Sequence, residues 1–450
     1  MFKHKMDNWL KYIDLDQLSI IMIVLINYVS LNVGFFARNY LKGDASYRSF
    51  FTYFPWLVLS LNLMMVIDHV MLFTIFWATN NVLLCFMMGL RSRWEAAQAS
   101  AILTYKTLGF GWLCLVAAVS VLVWQANTFF IHDLLLYPFS ADILCVSSIL
   151  IFISAMTQSA LWPFHKWLTS SLNSPTPASA MMHAGLVNGG GFLLAKFFPL
   201  FMGNDFILTL VFTIGLITAV IGTLWKLIQS DYKRMLACST MGQMGFMIVQ
   251  CGLGLFPAAI AHLCWHGLYK AYMFLGSGTA PQEKRYNLNY PLSVQDLLYA
   301  LSIGLIGGAV FTAIAYPDID RMDTRFILIS VAVMAGAQTV LPIIRQSYQY
   351  RWLMGLGTVI MLSGLYGLSV YGIEVFLGHS IMGYPYDLNV IHIVGLIILM
   401  ISWLFMLFQK NLDPSSALYK LWMRVYVAAL NGGNPQKNTI TVNKTHYTDR

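Results

Sequence analysis

His262, His266 and Lys270 follow one another at intervals of four residues inside an apolar run, HLCWHGLYKAYMFLGSG. On a helix this spacing places them in one stripe about 12 Å long. Imidazole accepts a proton on one nitrogen and donates from the other, and a lysine can hold the charge between transfers. Two imidazoles and an amine in an apolar helix therefore suit a proton relay. A hydrogen-bonded helix interface is the competing reading. Further polar residues occupy neighbouring apolar runs: Gln158 in MTQSALWPFHKWL, His183 in SPTPASAMMHAGLVNGGG, and Lys233 in SDYKRMLACSTMGQMGFM. An ionisable group near a bilayer centre costs about 2.5–3.5 kcal/mol on insertion scales, so its retention there points to function.

The elements that position these residues are membrane helices. The 450 residues are 58% hydrophobic and 10% charged, with mean hydropathy +0.66. A soluble domain carries about a quarter charged residues, whereas apolar runs of about 20 residues, repeated along a chain, match the hydrocarbon core of a bilayer. The fold class is all-α, a polytopic helical bundle. Thirteen spans are expected, near 18–37, 51–69, 70–90, 102–124, 141–163, 178–200, 206–229, 234–254, 255–278, 296–316, 326–344, 352–375 and 390–409. Nineteen of the 27 Lys and Arg then lie in the odd-numbered loops and the C-terminal tail. Six lie in the N-terminus and the even-numbered loops, and Lys106 and Lys270 lie within spans. That bias places the N-terminus outside and the C-terminus in the cytoplasm. With the charges so scattered, the net +8 does not signal nucleic-acid binding. The N-terminus has no small-residue cleavage site after its apolar run, so the first span reads as retained. The six cysteines form no C-x-x-C pair and read as small core residues, with no metal site and no disulfide framework.

Local signals refine this picture. Pro163 removes a backbone donor, and the fifth span should break or kink there, with the Gln158 amide facing the opening. Broken helices at membrane depth are tolerated where they are buried or line a wet cavity. Ser174 or Thr176 can cap the sixth span, and Asn188–Gly191 gives a smooth patch for close helix approach. Ser230 or Asp231 caps the eighth span, and Lys233 beside them also suits a membrane-surface anchor. Asp68 caps the third span or serves the path. The adjacent Asn80 and Asn81 need partners at mid-depth. Lys106 either snorkels to the interface or reaches inward. The tail SSALYKLWMRVYVAAL suits an amphipathic surface helix or a docking element, and the last 20 residues look disordered unless bound.

Read in order, LWPFHKWL, SPTPASAMMHA, SDYKRMLACSTMGQMGFM and HLCWHGLYKAYMFLGSG resemble the antiporter-like, proton-conducting subunits of respiratory complex I (the NuoL type) and of Mrp cation/proton antiporters. The resemblance covers residues 18 to 280. It implies a NuoL-type fold and an ion pathway through His183, Lys233, His262, His266 and Lys270, with Lys106 near a further basic position. Two positions depart. A Trp–Glu pair of the family is Trp77-Ala78 here, and a lysine before the break is Gln158. The Glu–Lys switch is thus absent from both sides. A short chain of this kind ending near RVYVAALNGG looks like the DabB-type membrane subunits of inorganic-carbon accumulation complexes. That resemblance implies a soluble, DabA-like zinc partner resembling a β-carbonic anhydrase, proton or sodium coupling to CO2 hydration, and location in a bacterial inner membrane. No catalytic site and no cofactor is expected in this chain, the zinc belonging to the partner. Three regions are expected: an antiporter-like core over 1–280, C-terminal membrane helices over 281–410, and a cytoplasmic amphipathic helix and tail over 411–450. The competing functions are a non-transporting anchor for the partner and a Mrp- or complex I-type antiporter subunit.

Overall fold

In hydrocarbon every backbone N–H and C=O must find its partner within the segment, which makes apolar runs helical. The computed structural model describes residues 11–278, 293–319, 321–345, 349–378, 385–409 and 412–440. Among them, ten helices are long and apolar enough to cross a membrane. They are α1 (Gln17–Tyr40), α2 (Tyr47–Val66), α3 (Val70–Met88), α4 (Glu95–Ala126), α6 (Ala141–Gln158), α10 (Asp205–Ile228), α13 (Val294–Ala315), α14 (Arg325–Ile344), α15 (Arg351–Leu377) and α16 (Val390–Phe408). A short α5 (Ile131–Leu136) precedes α6. The polar connection after Gly278 lies outside the described residues.

The remaining expected spans are those that carry the chemistry. Helices α11 (Tyr232–Gly252) and α12 (Phe256–Leu275) have 21 and 20 residues, long enough to cross, but are less apolar than such spans usually are and are not among the ten. The span expected over 178–200 is two short helices, α8 (Thr176–Ala184) and α9 (Gly189–Lys196), separated by a 3-10 turn at Leu186–Asn188. Helix α6 ends at Gln158 and is followed by the short α7 (Lys166–Thr169). The chain is therefore broken twice, where one break was expected.

Close backbone approach draws the core together. A Cβ on Gly222 of α10 would lie 2.4 Å from the Gly242 nitrogen of α11, and one on Gly245 2.4 Å from the Ala219 nitrogen. Only a small-residue seam permits this contact. One apolar cluster unites α1–α12, from Leu18 to Phe274, and takes in Leu377 of α15. A second joins α10, α11 and α12 to α13–α16 through Phe212, Phe311 and Leu396.

The two ends of the path region are tied down by polar side chains. Asp231 caps α11, accepting from the Arg234 N–H at 2.8 Å. Asp68 does not cap α3, whose first turn has no side-chain cap. It accepts instead from the His132 N–H at 2.9 Å and so holds the start of α5. Burial pushes the Asp68 carboxyl up, partly opposed by that N–H. Helix α8 also lacks a side-chain cap, with Pro175 at its N-cap position; Ser174 and Thr176 do not serve there. Of the last 20 residues, expected to be disordered, 431–440 pack on the bundle, and 441–450 lie outside the described residues. Helix α17 (Ala417–Gly432) lies against α10, with Gly432 packed on the Trp225 ring. Beyond it, the Gln436 N–H donates to Ser170 Oγ at 3.0 Å, and Asn173 Nδ2 donates to the Thr439 carbonyl at 2.8 Å.

Candidate functional site: a buried polar line through two helix breaks

The first break is built by local backbone chemistry. Ala160 adopts a left-handed conformation, φ 52°. Its N–H donates to the Thr157 carbonyl at 3.3 Å, and the Leu161 N–H reaches the Met156 carbonyl at 2.9 Å. This is a Schellman closure, and it ends α6 five residues before Pro163. Trp167 Nε1 donates to the Thr157 carbonyl at 2.8 Å. Gln158 is thus the last helical residue. Its Nε2 donates to the Leu186 carbonyl at 3.2 Å, and Ser159 Oγ donates to the Val187 carbonyl at 2.8 Å. The end of the first break therefore grips the second.

The second break follows from Gly185, Asn188 and the glycine run. Asn188 Nδ2 donates back to the Ala184 carbonyl at 2.8 Å, which satisfies an orphan carbonyl of α8. A Cβ on Gly190 would lie 2.3 Å from Ser159 Oγ and 2.5 Å from the Ala155 carbonyl, so only glycine lets α9 sit on α6.

Beyond the breaks lies the stripe of α12. Its outer face is apolar and exposed, with Trp265, Tyr269 and Tyr272. Its inner face holds His266 and Lys270 among buried residues, the inverse of a soluble amphipathic helix. His262 is half-buried, its ring centroid 6.3 Å from that of His266. His266 Nδ1 lies 3.1 Å from Asn188 Oδ1 and donates to it. Lys270 is fully buried, and its ammonium donates to the Leu236 carbonyl at 3.3 Å. The same carbonyl accepts from Thr240 Oγ1 at 3.0 Å, and Thr240 Oγ1 lies 3.1 Å from His183 Nδ1. The hydroxyl proton is committed to Leu236, so His183 Nδ1 is the donor to Thr240. His183 also stacks on Phe274 at 4.3 Å. His183, His266 and Lys270 lie within electrostatic range of one another. Among the described residues, no carboxylate pairs with Lys270.

The structure thus brings Gln158, His183, His266 and Lys270 around the second break, with His262 continuing the stripe. Lys233 sits at the rim, half-buried, and donates to the Ser174 carbonyl at 3.3 Å. Lys106 is not part of this line: it is exposed and borders a surface groove with Glu95, Gln436 and Asn438. Asp231 caps α11, and Asp68 holds the start of α5. Sequence reading passed over Asn188 and Thr240 as partners; their only signal was a polar residue at mid-span in VNGGG and ACSTMG. Lys196 has no signal of a partner beyond its charge at the end of an apolar run. Lys196 is buried and pairs with Asp16 at 2.6 Å. Among the described residues, no three His, Cys, Asp or Glu side chains gather as a metal site.

Known proteins carry the same arrangement of segments. The family profile described as NADH:quinone oxidoreductase/Mrp antiporter, TM, matches residues 68–341. A second, for the N-terminus of complex I chain 5, matches residues 12–51. The chain belongs to the NADH:quinone oxidoreductase/Mrp antiporter membrane family. Within this antiporter-like family it is similar to the "Probable inorganic carbon transporter subunit DabB1" of Halothiobacillus neapolitanus, 37% identical over 61% of the chain and 51% of that protein. It is also similar to the "Probable inorganic carbon transporter subunit DabB" of Bacillus subtilis, 32% identical over 82% of the chain and 71% of that protein. The chain therefore spans about half the length of the first relative and more of the second. Among solved structures, the Mrp complex of Dietzia sp. DQ12-45-1b matches over 94% of the chain and 45% of its own, with TM-score 0.57 and 20% identity. That likeness supports the antiporter-like fold. The family resemblance read from the motifs is borne out.

Proposed function

We propose that this chain is the membrane subunit of an energy-coupled inorganic-carbon accumulation complex. It conducts protons or Na+ down their gradient, and its movements drive CO2 hydration to bicarbonate by a DabA-like zinc partner on the cytoplasmic side. The placement that goes with this is a bacterial inner membrane, N-terminus outside and C-terminus in the cytoplasm, as the loop charge favours. The three regions keep distinct tasks: the core over 1–280 conducts, the helices over 281–410 buttress it, and the segment over 411–450 meets the partner.

One observation supports conduction most strongly. Lys270 is fully buried, has no carboxylate partner among the described residues, and hydrogen-bonds into a network that ends on His183. A passive anchor has no use for so costly a group. Relatives named as inorganic carbon transporter subunits direct the coupling to carbon rather than to quinone chemistry. The neutral pair Ala78 and Gln158, where the family has charges, favours the second reading, a non-transporting anchor.

Bicarbonate uptake by cells lacking carbonic anhydrases separates the two readings. The cells express the chain with its zinc partner, with and without a protonophore and with and without sodium. Uptake should collapse when the driving gradient is removed. Lys270→Ala and His266→Ala should each lower it at least tenfold while the complex still assembles in the membrane. Uptake indifferent to both gradients and to both substitutions would leave the anchor.

A further inference from the structure

A second polar feature lies on the other side of the 185–189 turn from His266. Asn80 and Asn81 of α3 and Gln158 of α6 are each more than nine-tenths buried. All three line one cavity of about 20 Å³. Its other walls are apolar: methionines, leucines, Ile26, the Trp77 ring, Gly185 and Gly189. Each amide has one committed and one uncommitted end, or an uncommitted donor. Asn80 Nδ2 is taken by Met64 Sδ at 3.4 Å, and Gln158 Nε2 by the Leu186 carbonyl at 3.2 Å. Among the described residues, Asn80 Oδ1, Gln158 Oε1 and Asn81 Nδ2 have no hydrogen-bond partner.

We infer that this cavity is a binding site for one water molecule, which donates to Asn80 Oδ1 and Gln158 Oε1 and accepts from Asn81 Nδ2. The fit is one of number and of size. Two acceptors and one donor match three of the four bonds that water makes. A cavity needs at least about 10–15 Å³ and two to four polar partners to hold a water. A bare cation fits worse: the three amides bring no formal charge, and one of them presents N–H. Chloride fits worse still, since two of the three groups are acceptors.

This deepens the proposed function and rests on it in one respect, the use made of the water. The amides do not titrate and both water protons end on amide oxygens, so the water stores no charge and relays no proton itself; it holds the wall of the path in place. Of the two departing positions, Gln158 lines the cavity. The turn that forms its wall, Gly185–Gly189, also carries Asn188, the hydrogen-bond partner of His266. A neutral site on one side of the turn thus backs the titratable line on the other.

The test pairs a structure with an assay. Cryo-EM of the complex with its partner, in lipid and at a resolution that shows ordered water, should reveal a single peak 2.7–3.2 Å from the three amide atoms. Gln158→Met, close in volume and apolar at its end, should remove the peak. The same variant should lower gradient-driven bicarbonate uptake at least tenfold at unchanged complex yield. A dry cavity in the native complex, or a peak at 2.3–2.5 Å that requires sodium, overturns the water site. A peak that vanishes in Gln158→Met while uptake stays full overturns its part in holding the path. Native uptake indifferent to every gradient overturns the proposed function instead, and the density still decides the site.

Discussion

Lys196 shows how burial changes the meaning of a charge. Its ammonium sits 2.6 Å from Asp16, the residue that also caps α1. Burial raises the Asp16 carboxyl, but Lys196 and the Ser19 hydrogen bonds more than reverse this, so it ends below the usual carboxylate range. A depressed carboxylate contributes stability above its unfolded pKa and loses it as pH falls through the folded one. Asp16→Asn should therefore be less stable than the native chain at pH 7. The gap should narrow as the pH falls below about 4, which thermal unfolding in detergent at both pH values will show. Lys196→Met should cost about 3 kcal/mol at neutral pH, the low end for a broken buried pair because Asp16 keeps contact with solvent. Equal thermal midpoints for Lys196→Met and the native chain would contradict this account.

At the scale of the element, the two breaks depend on a few residues with no slack. Gly190 has no room for a methyl group, since its Cβ would lie 2.5 Å from the Ala155 carbonyl. Gly190→Ala must push α9 off α6, and the grip of Gln158 and Ser159 on the second break goes with it. Gly109→Ala on α4 meets nothing within 4 Å and is the matched control. The expected outcome is loss of folded complex on a sizing column for Gly190→Ala alone. Ala160 is the converse case, a non-glycine residue in the left-handed region. Ala160→Gly removes about 1–2 kcal/mol of steric strain and returns part of it as chain entropy. The variant should unfold at the same temperature or slightly higher, and a clear drop would mean that the turn is held by something other than its backbone.

Across the whole molecule, the two halves of the membrane bundle meet at a small polar lock. Asp323 is fully buried and accepts from Arg325 Nε and Nη2 at 2.6–3.0 Å. The next residue, Thr324, donates from Oγ1 to the Leu253 carbonyl at 2.8 Å, at the end of α11. Tyr386 donates to the Gly252 carbonyl beside it. Asp323→Ala should weaken this junction by about 3–5 kcal/mol and expose the connections around it to limited proteolysis. An unchanged digestion pattern would count against the lock. The tail is tied in near the other end of α11: Asn173 holds Thr439, and the neighbouring Ser174 carbonyl accepts from Lys233. A partner that pulls on the tail would therefore act on the segment just before the second broken span.

Hydropathy and periodicity were enough to read a many-helix membrane bundle, and the i, i+4, i+8 stripe was enough to read His266 and Lys270 as sharing a face, because a helix converts spacing into direction. The sequence also marked a break near Pro163, since proline cannot donate. Where α6 ends was decided by the left-handed Ala160, which no residue preference announces. The split of 178–200 was decided by side chains from α6 that bond to the Leu186 and Val187 carbonyls, a long-range contact that only packing creates. The same holds for Asn188 beside His266, Thr240 beside His183, and Lys196 beside Asp16. A local pattern states which groups need partners in hydrocarbon. Which partner each one finds depends on how helices far apart in the chain come to lie together.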